Sequence, residues 1–182
     1  MKKTTLAIVV SALAVATTAN ANWYVQGDLG YSKVKFSADR GALDESKVDP
    51  RISVGYDFGD WRLAADYTYY GTFNGRVDDD YVSTKIYGLG FSGIYDFRVN
   101  SAFKPYAGIR LAHNIFEFEN SGRGYFRDDT ENKFGFGVLA GVQYQFAPNL
   151  SLNTGVEYNR LGKFDDTKAN QYGLKVGVRY DF

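Results

Sequence analysis

The chain has 182 residues, with 21 basic and 21 acidic side chains, one histidine and no cysteine. The balanced charge gives no basic surface for nucleic acid, and the lack of cysteine rules out a disulfide scaffold or a thiolate metal site. Gly (20), Tyr (15) and Phe (14) are abundant while Pro (3) and Met (1) are scarce, which suits strands and tight turns.

The N-terminus reads as an address. Lys2 and Lys3 precede an apolar run from Leu6 to Ala16 and a small-x-small site at Ala19-Asn20-Ala21. This is the layout of a secretory signal peptide over residues 1–21, cleaved after Ala21. The run is too short for a spanning helix, which needs about 20 residues. The mature chain is then expected to cover residues 22–182 as one domain. Losing Lys2 and Lys3 from the 21 basic residues brings its net charge near −2.

Eight period-2 segments follow. The first, Asn22 to Phe36, sets Trp23, Val25, Leu29 and Tyr31 against Gln26, Asp28 and Ser32. The second, Arg51 to Phe58, sets Ile52, Val54, Tyr56 and Phe58 against Arg51, Ser53, Gly55 and Asp57. Gly59-Asp60 makes a short turn into the third, Trp61 to Tyr70, with Leu63, Tyr67 and Tyr69 opposite Arg62 and Asp66. The fourth, Tyr81 to Phe97, and the fifth, Pro105 to Phe118, repeat the pattern. In the fifth, Ile109 and Leu111 oppose Arg110. The sixth, Asn132 to Phe146, is glycine-rich on its small face, and Ala147-Pro148-Asn149 turns into the seventh, Leu150 to Leu161. The eighth ends the chain: Tyr172, Leu174, Val176, Val178, Tyr180 and Phe182 on one face, Gln171, Gly173, Lys175, Gly177, Arg179 and Asp181 on the other. A strand ending on an aromatic residue, here Tyr180 and Phe182, resembles the signal read by the bacterial barrel-assembly machinery.

Successive side chains of a strand point to opposite faces. Eight strands, alternately short and long connections, and an apolar face set against a small or charged one predict an all-β fold. It is an eight-stranded antiparallel up-and-down transmembrane β-barrel with short periplasmic turns and four longer extracellular loops. The loops are expected over Ser37 to Pro50, Gly71 to Asp80, Glu119 to Glu131 and Phe164 to Asn170. A soluble ligand-holding barrel of eight strands would put about 30 bulky groups inside, and such a barrel has only just enough room for its own side chains. The glycine-rich face therefore points inward and the aromatic face meets lipid.

The inward face carries Asp28, Arg51, Arg62, Asp66, Asp96, Arg110, Glu157, Lys175 and Arg179. Buried charges need partners. Ion pairs are expected across the lumen, centred on Arg51, Asp66, Arg110, Glu157 and Lys175, as a structural plug rather than a selective pore. No catalytic set is visible. His113 has no serine beside it and falls on the outer face near the rim. Asp78-Asp79-Asp80, Asp128-Asp129 and Asp165-Asp166 lack the spacing of a calcium loop. Gly122-Arg123-Gly124 is too short for a phosphate loop. An enzyme, a cofactor and a resident metal are not expected.

Seven stretches resemble the opacity-protein family of outer-membrane barrels. They are Pro50 to Tyr56, Ala65 to Thr68, Ile94 to Phe97, Lys104 to Leu111, Gly137 to Val142, Pro148 to Leu150 and Tyr158 to Lys163. The likeness covers strands and short turns, not the long loops. It implies a bacterial outer-membrane location, with outer-membrane lipid, lipopolysaccharide and the assembly machinery as partners. It also implies loops that recognise host-cell receptors or serum proteins. Function on such scaffolds lives in the loops. Aromatic and arginine side chains dominate interfaces, so the candidate contacts are Phe73, Arg76, Tyr81, Arg123, Tyr125, Phe126, Arg127 and Phe164. The expected function is a non-enzymatic adhesin or host-factor binder. A small porin-like channel, or a structural envelope protein contacting lipopolysaccharide, are the alternatives.

Overall fold

In the computed structural model, the described residues are 22–182 apart from 39–40, 78–79, 123–124 and 165–166. The expected signal segment 1–21 lies outside them, as do the side chains of residues 36–45, 74–82, 118–129 and 163–168.

Eight strands follow in chain order: β1 (Trp23–Ala38), β2 (Gly41–Asp57), β3 (Trp61–Val77), β4 (Asp80–Asp96), β5 (Phe103–Gly122), β6 (Tyr125–Ala147), β7 (Leu150–Phe164) and β8 (Thr167–Asp181). Each pairs antiparallel with its neighbour, and β8 returns to β1 to close the barrel. Closure reaches the last residue, whose backbone N–H donates to the Trp23 carbonyl at 3.1 Å. Short turns join β2 to β3, β4 to β5 and β6 to β7 at one end. Gly59 takes φ 100° there, a conformation that costs glycine nothing. In the same turns the Arg98 guanidinium hydrogen-bonds Asp60 and holds its carboxyl below the usual value.

Outward side chains of the lower wall are apolar and exposed, among them Leu29, Ile52, Leu89, Ile109, Val138, Val156 and Val176. The short-turn end carries a ring of touching aromatics: Trp23 on Tyr56, Trp61 on Tyr95, Phe103 stacked on Tyr144, and Tyr180 on Phe182. From Phe182 to Tyr172 is ten residue steps, about 33 Å of strand and about 25 Å of height at a tilt near 40°. That matches the apolar band of a bilayer-spanning barrel.

Among the described residues, the long connections are strand rather than loop. β1 to β8 continue upward as paired strands through the four stretches expected to be irregular. The reason is that face polarity inverts at an upper ring of outward aromatics, Tyr31, Tyr67, Tyr87 and Tyr172. On the outer face, Tyr31 gives way to Lys33 and Lys35, Tyr87 to Lys85, Ile115 to Glu117, and Tyr172 to Asn170. On the inner face, Ser32 gives way to Val34, Asn114 to Phe116, Asn159 to Leu161, and Gln171 to Ala169. Alternation persists, but the apolar residues change sides because the surroundings change from lipid to water.

Toward the long-connection end the barrel also opens into two sheets. The β2–β3 ladder ends at the pair Arg51–Thr68, and the β6–β7 ladder ends at Phe136–Arg160. All other ladders continue to the tips, so β7-β8-β1-β2 forms one four-stranded sheet and β3-β4-β5-β6 the other. Two causes sit at the first break: Pro50 has no N–H to give, and Gly71 takes φ 114° in a bulge between Tyr69 and Gly71. A second bulge, between Arg160 and Gly162, sits at the other break. Each bulge turns its extra residue, Tyr70 or Leu161, fully inward. Between the sheets, Val34, Leu161 and Ala169 from one pack with Tyr70, Phe73, Ile86 and Phe116 from the other. The upper half is thus a small β-sandwich standing on a membrane barrel.

Candidate functional site

Two regions qualify: the charged lumen and the upper hairpins. The lumen exists because its face is rich in glycine. A Cβ on Gly90 would fall 2.3 Å from Asp66 and 2.4 Å from Arg110, so only glycine leaves space for that pair.

At the centre, Arg51 donates from two nitrogens to Glu157 at 2.9 and 3.2 Å and from Nε to the Thr68 hydroxyl at 2.7 Å. Arg110 donates to both Asp66 oxygens at 2.8 and 2.6 Å and to the Tyr70 hydroxyl at 2.8 Å. The Lys175 ammonium reaches Asp49 at 2.5 Å and Glu157 at 3.5 Å. Gln171 and Asn159 also donate to Glu157. The five central residues expected from the sequence thus lie in one network. Paired, hydrogen-bonded charges of this kind are tolerated in a protein interior, and removing one partner is what costs.

Two features of the lumen go beyond the sequence reading. Asp49 falls in a stretch whose sequence predicts a loop, yet it lies in β2, fully buried. Its parity with Arg51 and Ser53 was the available signal, obscured by the turn-like Val48-Asp49-Pro50. Nearer the periplasm, Arg62 pairs with Asp96 at 2.7 Å and Arg179 with Asp57 at 2.6 Å and with Asp181. The Arg179 guanidinium lies 4.0 Å from the Tyr24 ring centre and that of Arg62 5.2 Å from Tyr106, cation–π geometry that fastens the layer. Between these layers a cavity of about 60 Å³ is lined by Asp28, Ser53, Asn153 and others. That is space for about four waters. The Val34–Phe116 cluster closes the lumen above it.

The expected contact residues fare differently. Phe73 is corrected: it lies in β3, only 8% exposed, within the sandwich core and 5.6 Å from Lys47. The bulge at Gly71 shifts parity by one residue and turns Phe73 inward. Arg76, Tyr81, Tyr125, Phe126, Arg127 and Phe164 belong to β3, β4, β6 and β7, with side chains outside the described set; Arg123 lies wholly outside it. His113 faces outward on β5 and packs edge-on against Phe134 at 5.2 Å. Among the described residues no group of acidic or histidine side chains is placed to hold a metal.

Comparison with known proteins agrees with this architecture. The family model described as opacity family porin protein matches residues 54–182. The protein opa of Haemophilus influenzae is 47% identical over 129 residues, which is 71% of this chain and all of that protein. An opacity protein of Neisseria gonorrhoeae is 28% identical, covering 87% of this chain and 96% of its own length. The crystal structure of neisserial surface protein A superposes with a TM-score of 0.73 at 36% identity, over 89% of this chain and 98% of that one.

Proposed function

The chain belongs to the opacity family of outer-membrane barrels, and from that premise we propose that it is a non-enzymatic surface protein that recognises host-cell or serum molecules through its extracellular hairpins. The observation that carries this reading is a lumen crowded with side chains. An ion-pair network, a cation–π layer and an apolar cluster fill the bore in succession. What remains for function is the sandwich and the hairpin tips above the membrane.

A porin-like path is the competing reading, and the cavity of about 60 Å³ is its one support. Ion conduction needs a continuous wet path, and the apolar cluster stands across it. Contact with lipopolysaccharide fits the main reading: Lys33 and Lys35 face outward just above the lipid band, at the level of anionic head groups.

The test displays the barrel on a non-adherent bacterium, beside a form in which the four upper hairpins are cut to short Gly-Ser turns. Binding of human cells or serum proteins by the intact form only is the expected result. Equal binding by both forms, or none by the correctly displayed intact form, overturns the reading for the hosts tried.

A further inference from the structure

Splitting the upper wall into two sheets leaves strand edges that the closed lower barrel lacks. β6 has the longest. Above its last pair with β7, Phe136–Arg160, β6 runs on through Tyr125–Gly135, whereas β7 has only Leu161–Phe164. At the base of this stretch β7 still lies against β6, since a Cβ on Gly162 would fall 2.8 Å from the Lys133 Cβ. β6 then outruns β7 by seven residues, about 24 Å at roughly 3.4 Å per residue. Its other edge is fully engaged, paired with β5 up to Gly122–Tyr125. Among the described residues no strand pairs with the outer edge of this stretch, and Thr130, Glu131 and Asn132 are exposed.

An unpaired edge of this length is a template for another strand. Natural sheets blunt such edges with proline, a bulge, a covering element or charged side chains, and here, among the described residues, charge is the one device present, which turns away like-charged strands and admits a basic one. Between Tyr125 and Asn132 the sequence has no proline, and no bulge interrupts the β5–β6 ladder. Main-chain hydrogen bonds supply affinity in strand addition and side chains supply selectivity. The edge itself, Tyr125 to Asn132, carries Asp128, Asp129 and Glu131 against Arg127, a net charge of −2. A second copy pairing through its own β6 edge would set these carboxylates against each other, and like charges directly opposite are destabilising. A lysine- or arginine-bearing strand is stabilised instead.

We propose that the outer edge of β6, Tyr125 to Asn132, receives an extended basic segment of a partner protein by β-strand addition. The inference rests on the recognition reading above and names its site and the chemistry of its partner.

The test uses the full barrel in lipid nanodiscs and an octapeptide of alternating lysine and valine. Three comparisons are made. The first is the same peptide N-methylated at every residue, which keeps the charge and loses the donors. The second is an alternating glutamate–valine octapeptide. The third is a barrel carrying Asp128→Lys, Asp129→Lys and Glu131→Lys, shown to be folded by its heat-modifiable migration. Expected are binding of the basic peptide, about tenfold weaker binding of the N-methylated form, reversed charge preference in the triple variant, and slowed amide exchange in residues 125–132. Equal binding of the N-methylated peptide, or protection elsewhere on the barrel, overturns strand addition. The displayed barrel is assayed for host binding in parallel. Host binding with no peptide binding removes the β6 proposal alone, and loss of both removes the recognition reading as well.

Discussion

Arg110 holds Asp66 with two nitrogens and Tyr70 with a third, inside a bore where it is 1% exposed. Removing such a side chain takes the two-point partner from a buried carboxylate, which keeps only the Arg51 guanidinium at 3.6 Å and the Thr68 hydroxyl at 2.8 Å. Arg110→Ala is therefore expected to lower unfolding stability by about 3–5 kcal/mol, whereas Asp66→Leu with Arg110→Met is expected to recover most of it. Urea unfolding in lipid vesicles, followed by tryptophan fluorescence, measures both; equal losses in the two forms contradict the paired-charge account. The outer face gives the complementary case. Val176→Arg, in the middle of the lipid band, should cost about 2–4 kcal/mol, and Asn170→Arg, above it, about 1 or less. At this scale the sequence was informative where parity ran unbroken. Arg51, Asp66, Arg110, Glu157 and Lys175 were readable as inward charges because each sits among alternating neighbours. Asp49 was not, because Pro50 beside it imitates a turn, and Phe73 was not, because a bulge two residues earlier reverses its side.

At the scale of elements, the lower halves of all eight strands were legible and the upper halves were not. In the lower halves the alternation is apolar-out, small-in. Above the upper aromatic ring water replaces lipid, and the same strands become polar-out, apolar-in. Gly71, Asn74 and Gly75 in β3 look like turn residues, yet they continue a ladder with β4. The sandwich formed there has its own core, so it answers to ordinary core rules. Phe116→Ala is expected to cost about 3–5 kcal/mol. Amide exchange should accelerate in the upper strands and stay unchanged below the aromatic ring. Exchange that accelerates uniformly from top to bottom would show that the sandwich has no separate stability.

For the whole molecule, the stacked closures of the bore predict an electrically silent protein. In planar bilayers the intact barrel is expected to give no conductance steps, and Glu157→Gln is expected to give none either, because the Val34–Phe116 cluster lies above that site. Regular openings from the intact chain would favour the channel reading. Fold, location and family were all recoverable from alternation and motif. Partner identity was not, since the proposed recognition rests on hairpin tips on which the lipid below places no readable pattern.

The two interrupted ladders carry a consequence for how such a protein changes over time. In a wall paired all the way round, a hairpin that gains residues must find matching partners on both sides or expose two new edges. Here β2 and β3 part above Arg51–Thr68, and β6 and β7 above Phe136–Arg160. An insertion in the β5–β6 tip therefore has only one flank, β4, with which to stay in step. The two halves of the upper structure are free to vary as separate modules, each drifting in length and composition while the membrane-embedded wall beneath them is held fixed.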